Sequence, residues 1–153
     1  MKAIKLFNHL FFGITLFVVT VNSSFGQTTF DQTGTYEFQG KTTKKDGDIY
    51  GYFGTIQVKK LSDTKIVMTF FICKGAPSYN SGSFVDTLDF INNIVTYINE
   101  DCITTFTFSK KGINISEKSE RDCWGHGVVA HGYFRKISKK QPILIEPLTG
   151  EKI

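Results

Sequence analysis

The chain is short of proline, with 3 among 153 residues, and has a single tryptophan and only 3 cysteines. No cysteine precedes Cys73, and no apolar run reaches the roughly 20 residues that a membrane-spanning helix needs. The best candidate, Leu10 to Val21, is broken by Gly13, Thr15 and Thr20. Charge of one sign is not in excess either: 18 Lys and Arg stand against 14 Asp and Glu. No basic stretch is interleaved with aromatics, which argues against a nucleic-acid partner. Beyond residue 26 no helical period of any length appears, and there are no internal repeats or low-complexity segments.

What is present begins with an export signal. Lys2 and Lys5 precede the apolar run, and Ser24-Phe25-Gly26 places small residues before a cut at Gln27. The pattern predicts removal of residues 1–26 and a secreted or periplasmic product. With no cysteine near the cut, no lipid anchor is expected. The net charge of +4 falls to about +2 once the two leader lysines are gone. The remainder has the length of one domain. It divides into a folded unit, 27–138, and a tail, 139–153. The tail carries Pro142 and Pro147 around the apolar triplet Ile143-Leu144-Ile145. It either lies across the folded unit through that triplet or is partly disordered.

Strand signals fill the folded unit. Cys102, Thr104, Phe106 and Phe108 alternate with Ile103, Thr105 and Thr107. Period two in β-branched and aromatic residues marks a half-buried strand. Similar readings place strands over residues 35–40, 50–61, 65–74, 83–91, 94–99, 113–119 and 128–137. Asp46-Gly47, Ser62-Asp63-Thr64, Asn92-Asn93 and Lys111-Gly112 supply turns. Eight strands joined by short connections predict an all-β fold. The expected topology is an eight-stranded antiparallel up-and-down meander, closed or nearly closed into a barrel.

Folding the hairpin about Lys111-Gly112 sets Cys102 opposite about residue 121, so Cys123 lies within reach. A Cys102–Cys123 disulfide is expected, closing a loop of about 20 residues and stabilising by about 3 kcal/mol. Cys73 is then the odd thiol, in an apolar strand. A buried, inert thiol is expected there, with an intermolecular bridge as the alternative.

In a meander, connections alternate between the two ends. One end takes the tight turns at 62–64, 92–93 and 110–112. The other takes 41–48, 75–82, 100–101 and 120–127, three of them long. Recognition residues concentrate on loops held by a scaffold. Tyr79, Asn80, Arg121, Asp122, Trp124 and His126 are therefore the candidate partner-binding residues. Trp124 has a plainer alternative, a plug of the barrel mouth over the disulfide. Gly75, Gly82, Gly125 and Gly127 suit corners rather than a phosphate cradle, which needs a following helix. Cys123, His126 and His131 supply only three ligands for a metal, and Cys123 is claimed by the disulfide, so no metal or cofactor is expected. His131 is read as lying inside the last strand. A hydrolase would need Ser81 or Ser83 against His126 and Asp122, and no motif supports that set.

The run GAPSYNSG, Asn93 with Tyr97, Cys102-x-Thr-x-Phe-x-Phe and Cys123-x-Gly-x-Gly-Val-x-Ala-x-Gly-Tyr resembles a group of small exported bacterial proteins of no established function. The resemblance covers residues 34–138. At greater distance, the leader, the eight-stranded barrel and the single disulfide resemble periplasmic lysozyme inhibitors of the MliC/PliC type in architecture only. Ser81-Gly82-Ser83 is a faint echo of their inhibitory loop in a different setting, so no inhibitory residue carries over. The expectation is an exported, non-catalytic binding module. It would be monomeric and would present loops to a protein or cell-envelope partner, in the manner of an inhibitor. A lipocalin-like carrier is the alternative, and a hydrolase the remote one. An interior filled by Tyr36, Phe38, Phe106 and Phe108 would exclude the carrier.

Overall fold

A computed structural model describes residues 30–119 and 121–153. The expected leader, residues 1–26, lies outside the described residues. The strands are β1 (Gly34–Phe38), β2 (Thr43–Lys45), β3 (Asp48–Lys60), β4 (Lys65–Gly75), β5 (Ser81–Asp89), β6 (Ile94–Asn99), β7 (Cys102–Phe108), β8 (Gly112–Lys118) and β9 (Gly132–Ser138). Their order in the sheet is β5-β4-β3-β1-β9-β8-β7-β6, every pairing is antiparallel, and β2 is a short flap paired to β3. Apart from the flap, this is the expected eight-stranded meander. It is nearly closed: β1, the first strand, pairs with β9, the last, and among the described residues no ladder joins β5 to β6.

Turn chemistry sets the corners. Asp46 and Gly47 both take positive φ (54° and 89°), and so do Asn92 and Asn93 (53° and 64°). Paired left-handed residues give the turn whose twist matches a hairpin. Alternation then fills the interior. Tyr36, Ile56, Val58, Ile66, Met68, Phe70, Ile72, Phe106, Ile113 and Phe134 are fully buried. Phe70 contacts the rings of Phe84, Phe106, Trp124 and Phe134, with centroids 4.6–6.0 Å apart. Of the four residues expected inside, Tyr36, Phe106 and Phe108 are buried, and Phe38 packs half-buried against the same core.

Two expectations need correction. Residues 41–48 are not simply a loop, because Thr43–Lys45 pair with Asp48, Ile49 and Tyr50. The last strand begins at Gly132 rather than Val128, and His131 precedes it. Val128 and Ala130 are both buried, and their alternation imitates a strand. Their amides are satisfied elsewhere, however: Val128 N–H donates to the Gly125 carbonyl (2.9 Å) and Ala130 N–H to Glu117 Oε2 (3.1 Å). A ladder strand would spend those amides on its neighbour.

The tail packs on the barrel. Leu144 is buried, and Ile145 N–H donates to Gln57 Oε1 (2.9 Å) on the outer face of β3. Ile145 and Lys152 bridge in an antiparallel pair, and the turn between them is held by the Glu146 carboxylate, which accepts from Leu148 N–H and Thr149 N–H. The tail thus folds as a miniature hairpin and lies across the barrel through Leu144 and Ile145, while Ile143 stays exposed. Cys73 is a free, buried thiol, 2% exposed.

Candidate functional site

The Cys102–Cys123 disulfide is present, with Cα atoms 5.6 Å apart across a separation of 21 residues. It joins the start of β7 to the segment 123–131, which folds over one barrel mouth. Glycines permit that path. Gly125 and Gly127 take φ of 106° and 67°, a region that favours glycine. Gly82 on β5 is a close-approach site, since a Cβ there would lie 2.5–2.8 Å from the carbonyl oxygen, Cβ and Cα of Trp124.

Trp124 is 5% exposed. Its ring stacks against Phe84 and Tyr97 and leans on Phe70, 4.6 Å between centroids. Burying such a side chain stabilises by about 1.5–3 kcal/mol. Its indole N–H meets no acceptor among the described residues. Trp124 is therefore the plug of the mouth, and its ring is not on the surface as the partner-binding expectation required.

The other five candidates stand on the rim of the same mouth, where hydrogen bonds lock the loops together. Asn80 Nδ2 donates to the His126 carbonyl (2.7 Å), and Tyr52 Oη donates to the Gly127 carbonyl (2.7 Å). Asp122 Oδ2 accepts from Gly127 N–H (2.6 Å). Tyr79, itself at φ 51°, donates its hydroxyl proton to Asp48 Oδ1 (2.9 Å) and accepts from Ile49 N–H (3.0 Å). The Ile49 amide, the largest single influence, draws its phenol pKa down, but the Asp48 hydrogen bond and charge together with desolvation hold it above the ordinary tyrosine value. Arg121 pairs with Asp101, whose carboxylate hydrogen bond and charge raise the guanidinium pKa.

His126 is the exception. Its carbonyl is held, but its side chain is 95% exposed, 4.0 Å from Asp122 Oδ2. The candidates thus share one end, and their polar groups are mostly tied to Asp48, Asp101 and the backbone of the neighbouring loops. Sequence reasoning missed Tyr52 and Lys74. Both lie within strands and reach the cap only in three dimensions, Lys74 Nζ donating to the His126 carbonyl at 3.4 Å. Beside this rim an open groove of about 650 Å³ is lined by Asp101, Ile103, Lys118, Ser119 and Arg121. Cys123 is spent on the disulfide, so the Cys123, His126 and His131 set supplies no thiolate. No hydrogen bond among the described residues joins His126 to Ser81 or Ser83.

These features define a nearly closed, disulfide-stapled antiparallel β-barrel with one capped mouth. No protein-family model, no curated protein and no solved structure matches the chain.

Proposed function

We propose that the protein is an exported, non-catalytic binding module that presents its capped mouth to a protein or cell-envelope partner, in the manner of an inhibitor. The observation that carries this reading is the placement of His126. It stands at the apex of Gly125-His126-Gly127, its backbone held by Asn80 and Lys74 and its side chain open to solvent. A rim already locked in one shape loses little ordering entropy on binding. The Arg121–Asp101 pair and the adjoining groove supply charge and concavity beside it. The packed aromatic interior weighs against a carrier, which needs a cavity of several hundred Å³.

The test is capture from periplasm and culture medium on immobilised protein, comparing wild type with the double variant His126→Ala, Arg121→Ala. Both side chains are exposed, so the fold is retained. The reading expects the variant to lose a partner that wild type captures. A variant that retains every captured partner overturns it.

A further inference from the structure

The opposite end of the barrel gathers positive charge. Lys110 and Lys111 lie on the β7–β8 turn, Arg135 and Lys136 on β9, and Lys139 just beyond it. Lys136 N–H donates to the Lys111 carbonyl (2.8 Å), which clamps the turn against β9. These five cations line an open cavity of about 610 Å³, together with Tyr133 and Ile137. Three of them, Lys110, Lys136 and Lys139, also line an adjoining hollow of about 260 Å³, where Asp31 is the one acid.

Compensation at this end is sparse. The Asp31 carboxylate is occupied by Thr33 N–H (2.9 Å), and Lys136 Nζ donates to the Asp31 backbone carbonyl instead (2.7 Å). The ion pairs among the described residues involve Lys60, Lys65, Arg121 and His126, and none of the five cations. Lys136 is held in place over the Tyr36 ring, 5.3 Å from its centroid. Burial lowers its pKa, Asp31 partly restores it, and the neighbouring Lys139 charge lowers it again. Like charges gathered around a concavity focus a positive potential, and a multivalent anion relieves their repulsion.

We propose that this end binds phosphate-bearing anions, with Lys110, Lys136 and Lys139 as central contacts and Lys111 and Arg135 flanking them. Phosphate fits because one group carries up to two charges and three acceptor oxygens for converging donors. The source is either a lipid headgroup or a soluble phosphate compound. Tyr133 and Ile137, both partly exposed beside the cations, would meet the interface of a bilayer. The site is independent of the capped mouth.

Two probes separate the sources. Protein obtained by expressing the full chain is titrated with inorganic pyrophosphate by NMR, and sedimented with phosphatidylcholine vesicles containing phosphatidic acid. Wild type is compared with Lys110→Glu, Lys139→Glu, two exposed positions. The control is Lys44→Glu, Lys45→Glu, the same charge change on the β2 flap at the other end. Binding of the responding probe should weaken at least about tenfold in the first variant and stay near wild type in the control. A response to vesicles alone assigns the site to headgroups, and a response to pyrophosphate assigns it to the phosphate itself. The proposal fails if wild type binds neither probe, or if the control weakens binding as much as the first variant.

Discussion

The rings of Phe84 on β5 and Tyr97 on β6 stack face to face, 4.1 Å between centroids and 7° from parallel. They span the one seam where the barrel has no ladder. Side chains, not backbone hydrogen bonds, therefore complete the wall, and Trp124 lies against both rings. Asp86 shares the inward phase of Phe84 and Leu88 yet is exposed, placing a charge at the open edge. Charges in that position discourage pairing with another chain. Burial raises the Tyr97 phenol pKa, and Asp86 adds to the rise.

The seam should depend on the pair. Phe84→Ala is expected to cost about 3 kcal/mol in urea unfolding. A double-mutant cycle with Tyr97→Leu should show a coupling of about 1 kcal/mol. Independent, additive effects would show that the stack does not hold the seam.

The staple should hold the cap. Replacing Cys102 and Cys123 together by serine is expected to cost about 3 kcal/mol, following the size of the closed loop. The emission of Trp124, the chain's single tryptophan, should shift to the red as the cap loosens. An unshifted spectrum would mean that Gly82, Asn80 and Tyr52 hold the cap without the disulfide.

Stability should fall in alkali through Tyr36. Its hydroxyl donates to the buried Gln32 carbonyl at 2.5 Å, and burial, with the Asp31 charge second, raises its pKa well above the ordinary 10.0. The folded-state pKa exceeds the unfolded one, so the contribution is complete below pH 10 and is lost as pH rises past it. Tyr36→Phe should lower stability at neutral pH by about 1 kcal/mol and flatten the alkaline decline, as read from urea midpoints across the pH series. An unchanged decline would assign it to other groups.

The tail should be part of the folded unit. Leu144→Ala is expected to cost about 2 kcal/mol and to speed tryptic cleavage at Lys139 and Lys140. Equal cleavage rates would place the tail's attachment elsewhere, with the Gln57–Ile145 hydrogen bond as the next candidate.

Most of the barrel was legible in the residues. Period two from Cys102 to Phe108 and the turn pairs Asp46-Gly47 and Asn92-Asn93 are local properties. They survive in the structure because strand faces and tight turns are decided by neighbours in the chain. The cysteine pairing was legible for the same reason, since one hairpin brings Cys102 and Cys123 together. The misplaced start of the last strand shows the limit. Val128 and Ala130 alternate as a strand would, and only their hydrogen-bond partners, Gly125 and Glu117, reveal a cap.

By itself, then, the sequence determined the eight barrel strands apart from the start of the last, their turns, the meander and the staple, but not the β2 flap. Tertiary structure decided that Trp124 points inward, that Tyr52 and Lys74 reach the cap, and that the tail crosses β3. It also decided that Lys110, Lys136 and Lys139, spread over 30 positions of a chain with nearly balanced charge, share one hollow. Local patterns depend on residues a few bonds apart. Burial depends on which strands closure brings side by side, and the charge gathering on the β8–β9 pairing that sets the Lys110-Lys111 turn beside Lys136 and Lys139, residues too far apart in the chain for a local pattern to join.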